Sequence, residues 1–571
     1  MVNFKEEIAK LIAEQVSDLE LSEIQEMIEV PQDSKMGDYA FPCFKLAKTL
    51  RKAPPLIAKG IAETISGNEM FEKVEQVNAY VNMFLSKEEL VKDVVADVIE
   101  KGADYGKTNV GGGKPVIVEY SSPNIAKPFH IGHIRSTVIG NSLYKIYDAM
   151  GYNVTRINHL GDYGTQFGKM IVAYRHWGNK QDVIDEPIKT LLNYYTKFHV
   201  EVENHPELDD EARATFAKLE HGEKEEVELW QWFRDESLKE FTRVYDMLGI
   251  SYDSYAGESF YSDKMPAIVE DLKQKNLLVE SKGAMIVDLE PYGLTPAPIL
   301  KSDGSTLYIT RDIACAKYRK DTYNFYKNIY VVASQQNLHF QQLKKILELM
   351  GFEWAKDIIH VPFGLVSLEE GTMSTREGRV VFLEDVLNRA IEETREIIKE
   401  KGVATDNIEE TAKQVGIGAV VFNELSNNRI KDYVFSWKKV LDFNGETGPY
   451  VQYTYARAAS ILRNAGEEIV KKAQTAEIKP EYITGESAYE LAKLIYKFPD
   501  VVVEAGEKYE PSIVTRHIVD LAQSFNRFYH DEHILVDNEE EKTAKVAMVI
   551  AAKTAIKNGL ALLGMQAPER M

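Results

Sequence analysis

The residues best equipped for chemistry in this chain run Ser121-Ser122-Pro123-Asn124-Ile125-Ala126-Lys127-Pro128-Phe129-His130-Ile131-Gly132-His133. They follow the apolar triplet Val116-Ile117-Val118 and lead into a helical pattern from Ile134 to Met150. A helix N-terminus offers unpaired N–H groups and a partial positive charge, and so attracts phosphate. Gly132, between His130 and His133, lets a nucleotide come close to the backbone. Two imidazoles at this spacing can donate hydrogen bonds to phosphate oxygens as an attacked phosphorus gains negative charge. The pattern points to phosphate chemistry at a strand-to-helix crossover. Two ordinary surface histidines in a loop are the plain alternative.

Other motifs fall short. Gly106-Lys107-Thr108 has the ending of a P-loop, but that loop needs glycine at 101, where Lys101 stands. No Gly-x-Gly-x-x-Gly follows the first strand, which argues against a nicotinamide or flavin site. No His-Glu-x-x-His occurs, and His199 and His205 sit in an acidic stretch as solvated histidines.

The elements that must position the histidines are a strand over Val116–Val118, the helix from Ile134 closed by Gly151, and a strand over Val154–Ile157. That is a β-α-β unit of the doubly wound kind. Ahead of it, Ile8, Leu11, Ile12 and Val16 recur at helical spacing, and Gly111-Gly112-Gly113 reads as a flexible joint. Residues 200–240 hold 14 acidic and 5 basic residues, the composition of a helical insertion with a solvated face. From about residue 390 the pattern is almost all helical, ending in an Ala-rich helix near Val546–Leu563.

With 571 residues the chain has length for about three to five domains. Its composition, 44% hydrophobic and 27% charged, is that of a globular protein. Two cysteines, Cys43 and Cys315, exclude a disulfide framework and fit a reducing, cytoplasmic compartment. The longest apolar run, Val415 to Phe422, is far short of the roughly twenty residues of a bilayer span. The N-terminus lacks the basic start and apolar stretch of a signal peptide. A net charge of −21 argues against loose, charge-driven binding to nucleic acid and leaves room for a local patch.

His130-Ile131-Gly132-His133 resembles the signature of class I aminoacyl-tRNA synthetases, and the surrounding residues resemble the arginyl-tRNA synthetase family. The likeness is carried by Ser122 through Pro128, Arg135-Ser136-Thr137, Gly161-Asp162-Tyr163-Gly164-Thr165-Gln166-Phe167 and Tyr308-Ile309-Thr310-Arg311-Asp312. It continues in Gln335-Gln336 before His339, Met373-Ser374-Thr375-Arg376, Thr447 through Tyr453 and the ending Glu569-Arg570-Met571.

The resemblance implies an α/β protein. Its core is a doubly wound parallel-sheet, Rossmann-like catalytic domain over 111–390, with a helical insertion near 180–245. An N-terminal α/β or helical module over 1–110 touches tRNA, a helical linker spans 391–446, and an all-α anticodon-binding domain spans 447–571. It implies ligation of arginine to its tRNA through arginyl-adenylate, with ATP and its Mg²⁺ as substrate, no metal site in the protein, and a cytoplasmic monomer. Activation that depends on tRNA belongs to the same implication.

By similarity, His130, His133, Lys127 and Arg376 are the catalytic residues, and Gly132, His130, Met373 and Ser374 meet ATP. Ser122, Asn124 and His133 hold the amino-acid end, while Tyr308, Asp312 and Gln336 line the side-chain pocket, with Glu119 and Glu258 as further partners. A guanidinium is a rigid donor fork, so carboxylates and neutral acceptors are the right groups for it. Tyr308 and Asp312 can face one cavity if Thr310 caps a helix there.

The chain departs from the wider class at the second nucleotide motif. Thr372-Met373-Ser374-Thr375-Arg376 lacks both lysines of Lys-Met-Ser-Lys-Ser. Lys127 is the residue that substitutes in the family, and Arg376 and Arg379 are the local cations. From Thr447 to Met571 there are 15 basic and 18 acidic residues, so RNA there must be met by a patch and by stacking. Phe525, Phe528 and Tyr529 suit either that stacking or a buried helix face. Two other functions stay open: a small-molecule nucleotidyltransferase using the same His-x-Gly-His chemistry, and an inert tRNA-binding regulatory relative.

Overall fold

The computed structural model describes all residues except 17–18, 303, 369–380, 401, 403–406, 443–444 and 476. The chain forms two compact units, one of residues 107–453, 500–516 and 559–571, the other of residues 1–106, 454–499 and 517–558.

The first unit is organised by a four-stranded parallel sheet. Its strands stand in the order Ile358–Phe363, Lys327–Ala333, Pro115–Glu119, Asn153–Ile157. Val116, Ile117 and Val118 are at most 1% exposed, as a strand covered on both faces requires. The helix Ile134–Ala149 makes the crossover between the Pro115–Glu119 and Asn153–Ile157 strands, which pair in parallel. It lies so close to the first strand's end that a Cβ on Gly140 would stand 2.1 Å from the Cβ of Tyr120. Gly151, at φ 82°, ends the crossover helix in the left-handed region. The three glycines Gly111–Gly113 do not act as a free joint. Gly111 and Gly113 donate to the carbonyls of Met150 and Gly151, both at 2.8 Å, so the turn is fastened to the end of that helix.

The insertion is helical, with helices at Lys180–Asp185, Pro187–Glu201, Glu207–Glu220 and Lys224–Leu248. Leu191, Phe198 and Phe233 are fully buried within it, and its acidic residues lie mostly outside. An antiparallel sheet of Leu278–Ser281, Ala284–Val287 and Ala297–Leu300 precedes the helix Tyr308–Tyr323. Sequence periodicity gave no sign of this sheet, because strands of four residues are too short to show an alternation. Further along, the helices Leu383–Glu400 and Ile408–Ser426 pack together, and Val366–Leu368 pairs in parallel with Tyr433–Phe435.

The second unit joins N-terminal and C-terminal residues. Tyr39–Pro42, Tyr80–Leu85 and Phe71–Val77 form an antiparallel sheet with Tyr80–Leu85 in the middle. Phe4 packs on Tyr496 at 5.4 Å between ring centres, and the Tyr105 hydroxyl donates to the Ile495 carbonyl at 2.7 Å. The Tyr489 hydroxyl donates to Asp38 at 2.8 Å. Gly106 belongs to this packing, since a Cβ there would stand 2.4 Å from the Phe498 ring. The P-loop likeness of Gly106-Lys107-Thr108 is therefore incidental. Phe525 and Phe528 are fully buried, whereas Tyr529 is 45% exposed with the Arg457 guanidinium 5.6 Å from its ring centre.

Candidate active site

The loop that leaves the Pro115–Glu119 strand is strained. Ser121, Ser122 and Ala126 have φ of 71°, 48° and 58°, each a conformation costing about 1–3 kcal/mol for a residue with a Cβ. Hydroxyl groups over-determine it. The Ser121 N–H donates to Ser136 Oγ at 2.9 Å, Thr137 Oγ1 donates to Ser121 Oγ at 2.9 Å, and Ser121 Oγ meets the Tyr245 hydroxyl at 2.8 Å. The Ala126 N–H donates to Ser237 Oγ at 3.0 Å. Ser122 Oγ accepts from the His159 N–H at 3.2 Å. Asn124 is exposed beside Gly161, where a Cβ would stand 2.1 Å from its Oδ1.

The two signature histidines sit at the entry to the crossover helix, on a single turn Ile131–His133. His130 Nδ1 accepts from the Gly132 N–H at 3.1 Å, and His133 Nδ1 accepts from the His130 N–H at 3.2 Å. A backbone N–H can only donate, so His130 Nδ1 is an acceptor and its Nε2 carries the proton; His133 Nδ1 also lies 3.3 Å from the His130 carbonyl, to which it donates in the other tautomer. Burial depresses the pKa of both; His133, further lowered by His130, falls to about 3. Near neutral pH the pair is two uncharged imidazoles, each with a single N–H donor, with ring centres 4.0 Å apart. Lys127 stands half-buried in the same loop, its pKa lowered by burial and partly restored by Glu258.

Backbone contacts tie this turn to the chain that follows residues 369–380, and the Arg135 side chain reaches the chain that precedes them. The Ile131 N–H donates to the Val381 carbonyl at 3.1 Å, and the Leu383 N–H to the Phe129 carbonyl at 2.9 Å. Arg135, fully buried, donates from Nη1 to the carbonyls of Gly364 at 3.0 Å and Lys431 at 2.7 Å. Its Nε lies 3.6 Å from Oε2 of buried Glu424. Met373, Ser374, Arg376 and Arg379 lie outside the described residues.

The acidic end is built from three elements. In the helix Tyr308–Tyr323 Leu307 is the N-cap, and Thr310 does not cap it. The helix starts earlier than the sequence suggested, and Thr310 is buried with its hydroxyl donating to the Ile299 carbonyl at 2.9 Å. Tyr308 in its first turn is 66% exposed, and Asp312 follows one turn later. Asp312 Oδ2 lies 2.6 Å from Nε2 of His339, in the first turn of the helix Asn337–Leu349. Gln336 is the exposed N-cap residue of that helix.

Glu258 Oε2 stands 3.2 Å from Nη1 of Arg311, whose guanidinium also covers the rings of Tyr163 at 4.6 Å and Tyr308 at 5.7 Å. Burial raises the Glu258 pKa to about 7; Arg311 opposes the rise, and Asp312 and Asp162 add to it. Lys127 also acts on Glu258, so the phosphate loop and the acidic end are within electrostatic reach of each other. Glu119 stands apart from this group. It is 5% exposed and its Oε2 lies 2.6 Å from Nη1 of the buried Arg319.

Three residues of this constellation were not singled out from sequence: Asp162, Arg311 and His339. Asp162 is fully buried and accepts from the Ser259 N–H at 2.8 Å, the Ser259 hydroxyl at 2.9 Å and Arg234 Nε at 3.1 Å, which fixes the turn bearing Glu258. All three lie inside or beside the stretches that carried the family likeness, and that was the one signal available for them.

A parallel sheet leading through a strained loop into a His-x-Gly-His turn is the arrangement of a class I aminoacyl-tRNA synthetase. Residues 94–437 match the family "tRNA synthetases class I (R), catalytic domain", residues 451–571 the DALR anticodon binding domain, and residues 4–85 the arginyl tRNA synthetase N terminal domain. The chain is 58% identical to the arginine–tRNA ligase of Halothermothrix orenii and 59% identical to that of Clostridioides difficile, each over the full length of both chains. The arginyl-tRNA synthetase structure from Thermus thermophilus superposes with a TM-score of 0.81 at 26% identity, covering 100% of this chain and 99% of that one. The chain belongs to the arginyl-tRNA synthetase family.

Proposed function

We propose that this chain ligates L-arginine to its cognate tRNA at the expense of ATP. The arginine carboxylate attacks the α-phosphorus of ATP, the bond to pyrophosphate breaks, and arginyl-adenylate forms. A hydroxyl of the tRNA 3′ end then attacks the adenylate carbonyl, and AMP leaves. ATP enters as its Mg²⁺ complex, which is substrate and not a resident cofactor.

The neutral imidazoles of His130 and His133 suit oxygens that gain charge only as phosphorus is attacked. An uncharged donor spends little binding energy on the ground state, and its hydrogen bond strengthens in the transition state. Gly132 lets the nucleotide reach the turn, Lys127 supplies the fixed cation near the phosphates, and Met373, Ser374 and Arg376 belong to the second nucleotide motif. Ser122 and Asn124 receive the amino-acid end. Tyr308, Asp312 and Gln336 receive the guanidinium, with Glu258 beside them and Glu119 one layer deeper on Arg319.

Residues 447–571 read the anticodon and residues 1–110 contact tRNA elsewhere, while 111–390 carry the chemistry and 391–446 connect them. The chain works as a cytoplasmic monomer. Two buried free thiols, Cys43 and Cys315, favour a reducing compartment, and no helix among the described residues is long and apolar enough to cross a membrane.

The observation that carries this reading is a turn of two uncharged imidazoles on the loop that also bears Lys127, which lies within electrostatic reach of Glu258. Charging of total tRNA with each of the twenty amino acids in turn tests it. Arginine alone should be esterified, and ATP–pyrophosphate exchange should require tRNA. Charging with another amino acid, or with none, would overturn the reading.

A further inference from the structure

Asp312 does not face the substrate space alone. His339 Nε2 lies 2.6 Å from its Oδ2, and neither residue is sealed off, with side chains 24% and 32% exposed. A carboxylate has two oxygens, so an imidazole holding Oδ2 leaves Oδ1 for a guanidinium. We propose that His339 is a positioning residue of the arginine pocket: as a neutral donor it aims Asp312 at the substrate, and with a second proton it repels the substrate's cation. This rests on the reading of Asp312 as an arginine ligand.

Groups from neighbouring elements face His339. On its own helix, its neighbour Phe340 stacks on His360 with ring centres 4.3 Å apart. His360, on the Ile358–Phe363 strand, has its pKa lowered by burial and also by Arg429, so it stays neutral where His339 titrates. From the Tyr308–Tyr323 helix comes Asp312, and behind it stand Arg311 and Glu258. Burial pulls the His339 imidazole down, but the hydrogen bond and charge of Asp312 more than offset it, leaving its pKa raised.

The sign follows from linkage. A bound guanidinium lowers the His339 pKa relative to the free enzyme, so arginine binding expels a proton between the two values. Arginine affinity is then flat above the free-state pKa and falls by up to about tenfold per pH unit below it. Glu258 works in the same direction, since its protonation near pH 7 removes an attractive charge. Glu258→Gln therefore separates its share.

Calorimetric titration of arginine into the full-length enzyme, in buffers of different ionisation enthalpy from about pH 6 to 8.5, counts the expelled protons. In His339→Gln an amide N–H replaces the imidazole donor and cannot titrate. Proton release should drop and the pH dependence flatten, with affinity at the alkaline end kept within about threefold. His339→Ala should lose about tenfold at the alkaline end, because Asp312 loses its holder, and should show the same flattened pH dependence as His339→Gln. If Asp312→Asn weakens arginine binding while His339→Gln leaves proton count and pH profile unchanged, the proposal is wrong and the pocket stands. If Asp312→Asn changes nothing either, the pocket reading itself falls.

Discussion

At the phosphate end of the site the working groups are uncharged and held by the backbone; at the acidic end they are charged and held by one another. His130 and His133 are oriented by backbone groups of their own turn, and burial keeps both neutral. Asp312 and His339 are oriented by their hydrogen bond, and Glu258 and Arg311 by an ion pair, so the strength of each contact depends on the protonation of His339 and of Glu258. The contrast follows the chemistry. A phosphate that gains charge during reaction is best met by dipoles already in place. A permanent cation needs a permanent counter-charge, and polar mismatch then rejects lysine without a second sieve, by about 10⁴–10⁵ where such a site is complete.

Changing Asp312 to Asn should do the most damage. It keeps the shape and removes the charge, a loss of about 2–5 kcal/mol by analogy with truncated charge pairs. It should fall on the arginine KM, read from steady-state kinetics, with the fold intact by circular dichroism. An unchanged KM would reduce Asp312 to a helix residue paired with His339.

His133→Ala addresses the other end. It removes one donor to the transition state, so kcat for adenylate formation should fall by about 10²–10³ with arginine binding nearly unchanged. A loss confined to KM would show that the histidine serves substrate binding, and the contrast between the two ends would fail. Lys127→Ala should cost about 10² in the same assay if this half-buried cation replaces the missing motif lysines. Near-normal turnover would move that burden to Arg376 or Arg379.

The two ends were not equally legible in the sequence. The phosphate end lies within fifteen consecutive residues after an apolar triplet, so strand, loop and helix entry could be placed from local pattern alone. The acidic end is gathered from residues near 162, 258, 312 and 339, and no local period announces such a meeting. Family likeness supplied Tyr308, Asp312, Gln336 and Glu258. It did not supply His339, because a hydrogen bond between two helix entries exists only once both helices are packed. Thr310 shows the same limit. Its hydroxyl could cap a helix or bond a neighbouring strand, and the unseen strand Ala297–Leu300 decided for the second. In the C-terminal helices the apolar spacing of Phe525 and Phe528 was clear, and packing assigned both to the core, with Tyr529 left outside.

The effect with least bearing on turnover concerns stability. Glu424 is buried beside Arg135, and burial pushes its pKa up to about 8 while Arg135 pulls the other way. A carboxyl whose folded pKa exceeds its unfolded value stabilises the fold most below the unfolded pKa. That contribution is lost as pH rises from about 4.5 toward 8. Glu424→Gln should make the decline of unfolding free energy across this window shallower, by up to about 1.4 kcal/mol per pH unit at its steepest. An unaltered slope would mean that Arg135 keeps Glu424 ionised throughout, and that the backbone-held end depends on a charge pair after all.

The central claim is that the acidic end reads the positive charge of its substrate. Citrulline tests it, because it has nearly the shape of arginine and a neutral ureido group in place of the guanidinium. Binding of arginine and of citrulline would be compared in the unaltered enzyme and in Asp312→Asn. The unaltered enzyme should prefer arginine by about 2–5 kcal/mol, and the variant should lose most of that preference. Equal binding of the two ligands by the unaltered enzyme, or full preference retained in the variant, would contradict the claim.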